Sequence, residues 1–464
     1  MAKLVKVFQT LRNNWKKTVF GTAAVTYGVN YGLDKYEHAQ MMRAYCEVAR
    51  EIGEAPLPVE ARARHVTVIL NPAANKRKAK KEFEEYCAPL LHLAGLSVNI
   101  ILTGKEGQAR SLMEKLEEAT DAIVVAGGDG TLSEAVTGLL RREDGTQVAK
   151  KIPFGVLPLG KTNSVAKQLF SQSADDRIKH LAEATMAVIF EVTKPLDVIK
   201  FQVMPTESTE VAKPVYSLVG MEWGAFRDAH ARREKYWYFG GLRGYASYLF
   251  TGLKDEKSGI TWQVEANMEY TPPCEGCSNC YNQRYDLHPE IPQNKSWWSG
   301  FAKRTPGTFT PQVDYKGKLN EKCGKVEKLE VKTTDFSLLS SNVLNDHSKV
   351  PRLQVSYGPD QVTFNDFVQE GWRRENGVQP LRTNTLTTKD VKIWPLNNVS
   401  LGGSEAADNV AESSEEGAGA GAGGLQGPEK WISIDNEDYE VKAVQATLLP
   451  NIIKIFCSPQ FQIN

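Results

Sequence analysis

From Arg64 to about Pro195 the chain repeats one pattern, a short β-branched or apolar run followed by a stretch with apolar residues at helical spacing. The first run is His65-Val-Thr-Val-Ile-Leu-Asn71, and residues 78–94 then place Phe83, Cys87, Leu90 and Leu91 on one helical face. Residues 97–103 read as a second strand and 109–119 as a helix. Asp121-Ala-Ile-Val-Val-Ala126 reads as a third strand, and 131–141 as the next helix. Continuously apolar strands alternating with helices predict a parallel sheet covered on both faces, and ligands of such sheets bind at the strands' carboxyl ends. This is a Rossmann-like α/β nucleotide-binding domain, assigned to residues 61–195.

Beyond Pro195 the texture changes. Short alternating runs at 197–202, 215–220, 260–266, 326–333, 431–434, 441–448 and 452–457 predict an antiparallel β domain, a sandwich over 196–464. Residues 270–320 and 402–429 are too poor in apolar residues to offset their ordering entropy and read as insertions without structure.

Residues 1–60 form a third unit. Lys3, Lys6, Arg12, Lys16 and Lys17 open the chain with no acidic residue among them, and residues 18–33 are uncharged but interrupted by Gly21, Gly28 and Gly32. A membrane-crossing helix takes roughly 20 apolar residues. A surface helix is the plainer reading, but a basic, acid-free start before a modest apolar segment fits a mitochondrial or membrane-targeting segment better; whether residues 18–33 span the bilayer or lie on it stays open. The formal net charge of +0 gives no whole-molecule field to attract nucleic acid.

Four strand ends carry candidate chemistry. Ala126-Gly127-Gly128-Asp129-Gly130-Thr131 lies between a strand and a helix. Its glycines let backbone approach a phosphate, and the helix start aims N–H groups at the same anion. A carboxylate there suits a base for an attacking hydroxyl beside a transferred phosphoryl group; the plainer reading is a helix cap. Asn71-Pro-Ala-Ala-Asn75 and Thr103-Gly104 end the neighbouring strands. Residues 155–162 match the phosphate-loop pattern G-x-x-x-x-G-K-[ST], but Val156, Leu157, Pro158 and Leu159 belong in a strand and the proline has no N–H to give. Gly160-Lys161-Thr162-Asn163 reads better as a separate strand-end turn. Cys274, Cys277 and Cys280 form a C-x-x-C-x-x-C run; a tetrahedral zinc site would need a fourth ligand, with Cys323 the nearby candidate, and an unstructured insertion is the expectation.

Together NPAAN, AGGDGTL (126–132) and PLGKTNS (158–164) resemble the diacylglycerol kinase catalytic domain shared with sphingosine and ceramide kinases. Met221-Glu-Trp-Gly-Ala-Phe-Arg-Asp228 and Lys235-Tyr-Trp-Tyr-Phe-Gly240 resemble that superfamily's lipid-site stretch, and with the basic start the likeness is to its mitochondrial acylglycerol kinase branch. It covers nearly the whole chain. The resemblance implies Asp129 as general base, Gly127, Gly128, Gly130 and Thr131 as the nucleotide-phosphate turn, and Asn71, Thr103, Gly160, Lys161, Thr162, Asn163 and Glu437 as nucleotide contacts. Asp228 falls where related kinases hold the lipid's polar head. Two departures stand out: Lys161 replaces a Thr, and Asn436 replaces Gly in the turn Asp435-Asn436-Glu437, though Asn tolerates positive φ.

The same resemblance implies ATP and Mg2+, phosphorylation of monoacylglycerol and diacylglycerol to lysophosphatidic and phosphatidic acid, and a β domain that binds lipid across a cleft. It also implies the mitochondrial inner membrane, facing the intermembrane space, and a partnership with the translocase that inserts metabolite carriers. A translocase subunit with an incidental kinase site is the rival reading. A phosphate-loop ATPase is a third, dependent on Lys161 rather than Asp129.

Overall fold

A computed structural model describes residues 14–56, 62–116, 120–170, 176–205, 212–258, 264–274, 277–278, 319–343, 351–378, 380–396 and 431–458. Cys280, the insertion 402–429 and most of 270–320 lie outside the described residues.

Four parallel strands begin the fold: β1 (His65–Leu70), β2 (Ser97–Leu102), β3 (Ala122–Gly127) and β4 (Phe154–Pro158), in the order β2-β1-β3-β4. β1, β3 and β4 are almost wholly buried because helices cover both faces; β2 is an edge strand and half exposed. The helix Asp129–Leu140 buries nearly its full length and starts two residues before the expected position, because extended Gly128 serves as its N-cap. The expected helix over 78–94 is broken into Ala79–Glu82, a π-helical segment Phe83–Cys87 and Ala88–Leu93. Pro89 has no N–H for the carbonyl four residues back, which accounts for the irregular turn.

The second domain is less separate than its texture suggests. Strands β5 (Thr193–Val203), β6 (Val215–Ser217), β8 (Val264–Thr271), β9 (Glu327–Thr333), β13 (Asp390–Pro395) and β16 (Val444–Phe456) continue the first sheet, making it 10-stranded and mixed. The two closing runs expected at 441–448 and 452–457 are one strand, β16, with an irregularity between Leu449 and Ile453. Its end pairs in parallel with β4, Ile455 against Phe154. A second, 6-stranded antiparallel sheet orders β12 (Asn384–Thr388), β11 (Leu353–Tyr357), β10 (Asp335–Ser340), β7 (Gly220–Gly224), β14 (Trp431–Ile434) and β15 (Glu437–Glu440). Val391, Ile393, Ala446 and Leu448 from the first sheet meet Trp223, Phe336, Leu338 and Ile432 from the second, forming the sandwich core. Three helices escaped the alternating pattern: Ala225–Ala231, Arg243–Ser258 and Phe364–Glu375. They pack Phe226, Ala229, Tyr248 and Phe367 into a core of their own.

The N-terminal helix Trp15–Gly53 runs 39 residues, and Gly21, Gly28 and Gly32 do not interrupt it. Its last turns pack Tyr45, Cys46, Ala49 and Ile52 on the α/β core, whereas Trp15 to Tyr36 stand exposed. Among the described residues no helix is long and apolar enough to cross a membrane.

Candidate active site

The turns after β3 and β4 interlock through backbone. Gly160 N donates to Gly127 O at 2.9 Å, and Asp129 N donates to Thr162 O at 3.1 Å. A Cβ on Gly160 would lie 2.2 Å from Gly128 Cα, so only glycine permits this approach. Asn163 closes its own turn: Gly160 N donates to Oδ1 at 3.1 Å and Nδ2 donates to Gly160 O at 3.0 Å. Gly155 to Pro158 lie in buried β4 rather than in a loop, so no phosphate loop is formed there.

Asp129 is 3% exposed at this junction. Its side chain crosses to the neighbouring turn instead of capping its own helix. Ser164 N donates to Oδ2 at 2.9 Å, Val165 N reaches Oδ1 at 3.5 Å, and Asn436 Nδ2 donates to Oδ2 at 3.2 Å. Burial raises this carboxyl above its ordinary range, against the lowering influence of the Ser164 and Val165 hydrogen bonds and the Lys167 charge.

Asn436 arrives from the second sheet. Asp435 and Asn436, with φ of 50° and 66°, join β14 to β15 in a two-residue hairpin turn that needs the left-handed region at both positions. Asn thus supplies what Gly would. Asp435, 4% exposed, anchors the turn: Ser217 Oγ donates to it at 2.5 Å, Leu218 N at 3.0 Å, and Val219 N and Gly220 N at 3.1 Å. Burial pushes its carboxyl up to about 6, with Asp129's charge adding to the shift and these donors opposing it. Next along, Glu437 lies against Gly130, where a Cβ would come within 2.9 Å of its Oε1. Tyr439 Oη donates to Glu437 Oε2 at 3.0 Å. Burial, reinforced by the Glu134 charge, pushes Glu437 up to about 7.

The first two strands bring their ends to the same place. Asn71 Nδ2 donates to Thr131 Oγ1 at 3.1 Å, and its Oδ1 accepts from Ala73 N at 3.1 Å. Thr103 is buried at the end of β2, with its N donating to Leu70 O at 2.9 Å. Glu134 accepts from Gly107 N at 2.9 Å and Ala109 N at 3.2 Å, tying the next loop to the helix after the glycine turn.

Lys161 is ion-paired with Glu234, which also receives Arg243 at 3.5 Å. The pair joins the β4 turn to the 3₁₀ segment Arg232–Leu242, where Trp237, Tyr238 and Leu242 are exposed. Asp228 is tied to the β14–β15 hairpin through Arg227. It pairs with Arg227 Nη1 at 2.8 Å, and buried Arg227 also pairs with Asp438, one residue from Glu437. Burial raises Asp228 and Arg227 opposes it. Asp435, Asn436 and Arg227 are therefore part of the framework; read from the sequence, Asp435 and Asn436 stand only as the turn that carries Glu437, and Arg227 only within the 221–228 run. Asp435's position beside Glu437 in one hairpin turn was the available signal.

A Mg2+ ion favours oxygen donors, often one or two carboxylates together with phosphate oxygens. Glu437, whose carboxylate lies against Gly130 of the glycine turn, fits that role. Among the described residues no cluster of three acidic groups forms a protein-only cage there.

This geometry finds counterparts among known proteins. Residues 65–201 match the family described as "Diacylglycerol kinase catalytic domain", and residues 218–463 match "Acylglycerol kinase C-terminal". The fold and its strand-end site define a lipid kinase of the diacylglycerol kinase type. The chain is 34% identical over 461 residues to "Acylglycerol kinase, mitochondrial" of Homo sapiens, covering 98% of this chain and 96% of that protein. It is 32% identical over 464 residues to the Xenopus laevis protein of the same name, covering 99% and 96%. A solved structure titled "A putative diacylglycerol kinase from Bacillus anthracis str. Sterne" superposes with a TM-score of 0.47 at 15% identity, covering 86% of this chain and 99% of that one. The chain belongs to the acylglycerol kinase family and is an ATP-dependent lipid kinase.

Proposed function

We propose that the chain transfers the γ-phosphoryl group of ATP to a hydroxyl of monoacylglycerol and diacylglycerol, giving lysophosphatidic and phosphatidic acid, with Asp129 as base. The observation that carries this reading is the burial of the Asp129 carboxylate where the glycine turn, the turn after β4 and the Asp435–Asn436 hairpin meet. The lipid oxygen bonds to the γ-phosphorus as the bond to the β,γ-bridging oxygen breaks. The hydroxyl proton passes to Asp129, and ADP leaves. A carboxylate whose pKa is raised by burial is a better base near neutral pH than an exposed one.

Gly127, Gly128, Gly130 and Thr131 hold the phosphates in this reading, while Asn71, Thr103 and the 160–163 turn contact the rest of the nucleotide. Mg2+, when bound with ATP, supplies positive charge to the phosphate oxygens, and Glu437 is the residue to hold it. Asp228 takes the lipid's polar head, and the exposed aromatic residues of the Arg232–Leu242 segment give the lipid its approach. The mitochondrial names of the relatives support a mitochondrial location. Attachment to the inner membrane, facing the intermembrane space, and contact with the carrier translocase extend that proposal.

Purified chain incubated with labelled ATP and a panel of mono- and diacylglycerols, beside sphingosine and ceramide, tests the substrate assignment. Phosphorylation confined to the sphingolipids overturns it. Carrier insertion that persists in cells carrying only Asp129→Asn would assign the assembly role to the chain independently of transfer.

A further inference from the structure

Three cysteines meet at the foot of the long connection between β8 and β9. Cys274 lies just beyond the end of β8, Cys277 follows at the C-x-x-C spacing, and Cys323 comes from the turn before β9. β8 and β9 are antiparallel neighbours with Tyr270 opposite Glu327, so the ladder brings both ends of the connection together. The three Sγ atoms all lie within 4.8 Å of one another. Cys277 is fully buried, yet it belongs to none of the three apolar cores.

Hydrogen bonds fix the turn that presents Cys323. Cys323 N donates to Asn320 O at 3.1 Å, Lys325 N donates to Lys322 O at 3.2 Å, and Gly324 follows with a φ of +79°. Asn320 Oδ1 accepts from Lys322 N at 3.0 Å, and its Nδ2 donates to Cys274 Sγ at 3.2 Å. An amide donor on a sulfur is the support that ligating thiolates receive from their outer shell.

We infer that Cys274, Cys277 and Cys323 supply three of the four ligands of a structural zinc ion that clamps the base of the 272–326 connection, with a solvent oxygen in the fourth position. Three soft sulfur donors without carboxylate or imidazole select zinc over magnesium or calcium. With Zn–S of about 2.3 Å, tetrahedral geometry sets the sulfurs about 3.8 Å apart, within reach of the arrangement seen. Each sulfur binds as thiolate, and its proton passes to solvent. Cys280 lies outside the described residues, and the site as assigned does not include it. β8 and β9 close the edge of the first sheet opposite β2 and β1, so the zinc is remote from the glycine turn. Closing so long a loop costs entropy that the metal offsets at its narrowest point.

The test uses the full chain, expressed with zinc and purified under reducing conditions. Metal analysis should find about one zinc per chain retained through gel filtration. Cys274→Ser and Cys323→Ser should each lower that content at least tenfold, while Cys46→Ser should keep it. Cobalt substitution should give an intense thiolate-to-metal charge-transfer band in the wild type and none in the double variant. Should a serine variant fail to fold, chelator titration of the wild type takes its place: zinc removal should lower the melting temperature and readdition should restore it. A zinc-free chain after supplementation, unchanged zinc in the double variant, or a disulfide between any two of these cysteines by mass spectrometry overturns the inference.

Discussion

Asn436 Nδ2 donates to Asp129 Oδ2 across 3.2 Å, joining residues 307 positions apart in the chain. One belongs to the hairpin turn of the antiparallel sheet, the other to the strand-end turn of the α/β domain. The candidate base is therefore set by both domains, and its environment exists only once the C-terminal strands have folded. The parallel pairing of β16 with β4 joins the C-terminal strands to the α/β strands within the first sheet.

Asp129→Asn keeps the shape of the side chain and removes its charge. Transfer should fall by roughly two to four orders of magnitude, the usual worth of a positioned base. ATP affinity should hold or tighten, since a negative charge leaves the phosphate site. Asn keeps a carbonyl oxygen that can accept from Ser164 N, so the start of the helix Ser164–Leu169 should stay capped and the melting temperature should change little. Turnover above a tenth of wild type in a labelled-ATP assay would remove Asp129 from the chemistry.

The close approach of the two turns gives a steric prediction. Gly160→Ala forces a methyl to 2.2 Å from the Gly128 backbone, which no side-chain movement relieves. The turns must separate, displacing Thr162 O from Asp129 N. Both activity and thermal stability should drop sharply. Gly241→Ala, which meets nothing within 4 Å, should change neither and serves as the control. An active, wild-type-stable Gly160→Ala would show that the turns do not depend on each other.

Much of this was legible from residues 64–195, where buried β-branched strands and helical spacing leave little choice of fold. Asp129, the glycines around it and the Gly160–Asn163 turn were readable because glycine and a strand-end position carry a mechanism in their letters. The dependence of that site on Asp435 was not. A buried aspartate receiving three backbone N–H groups and a serine is a product of tertiary register, and the sequence shows only an acidic residue in a turn. The continuation of the first sheet through β16 was hidden for the same reason. A strand's alternation, B-i-B-i in burial, names its faces but not its neighbours.

Glu437, with its raised carboxyl, gives a prediction for pH dependence. Its carboxyl is pushed up to about 7, so between the ordinary carboxylate range and that value the native chain holds a proton the unfolded chain has lost. Glu437 therefore makes the nucleotide-free protein less stable as pH rises through that window. If Glu437 holds Mg2+, the ion must displace this proton below about pH 7. The Mg2+ needed for half-maximal rate should then fall as pH rises toward 7 and level off above it. Glu437→Gln should raise the Mg2+ requirement and flatten its dependence on pH. A wild-type requirement that does not change with pH would separate Glu437 from the metal.

The N-terminal helix divides into a packed end and an exposed end, so the proposed membrane attachment can be tested apart from catalysis. Tyr45, Cys46, Ala49 and Ile52 hold the packed end to the α/β core, and His38 reaches Asp176 at 3.5 Å. Trp15, Phe20, Tyr27 and Tyr31 sit on the exposed end, next to Lys16 and Lys17. Removing residues 1–34 spares every packed contact just named, so activity on detergent-dispersed lipid should survive and the melting temperature should shift little. The truncated protein should leave the membrane fraction. In the full chain, basic residues beside an anionic surface contribute roughly 1 kcal/mol each, so a helix lying on the bilayer should release more readily at high salt. A truncated chain that stays in the pellet through alkaline carbonate would move the attachment to the exposed aromatic residues of the Arg232–Leu242 segment.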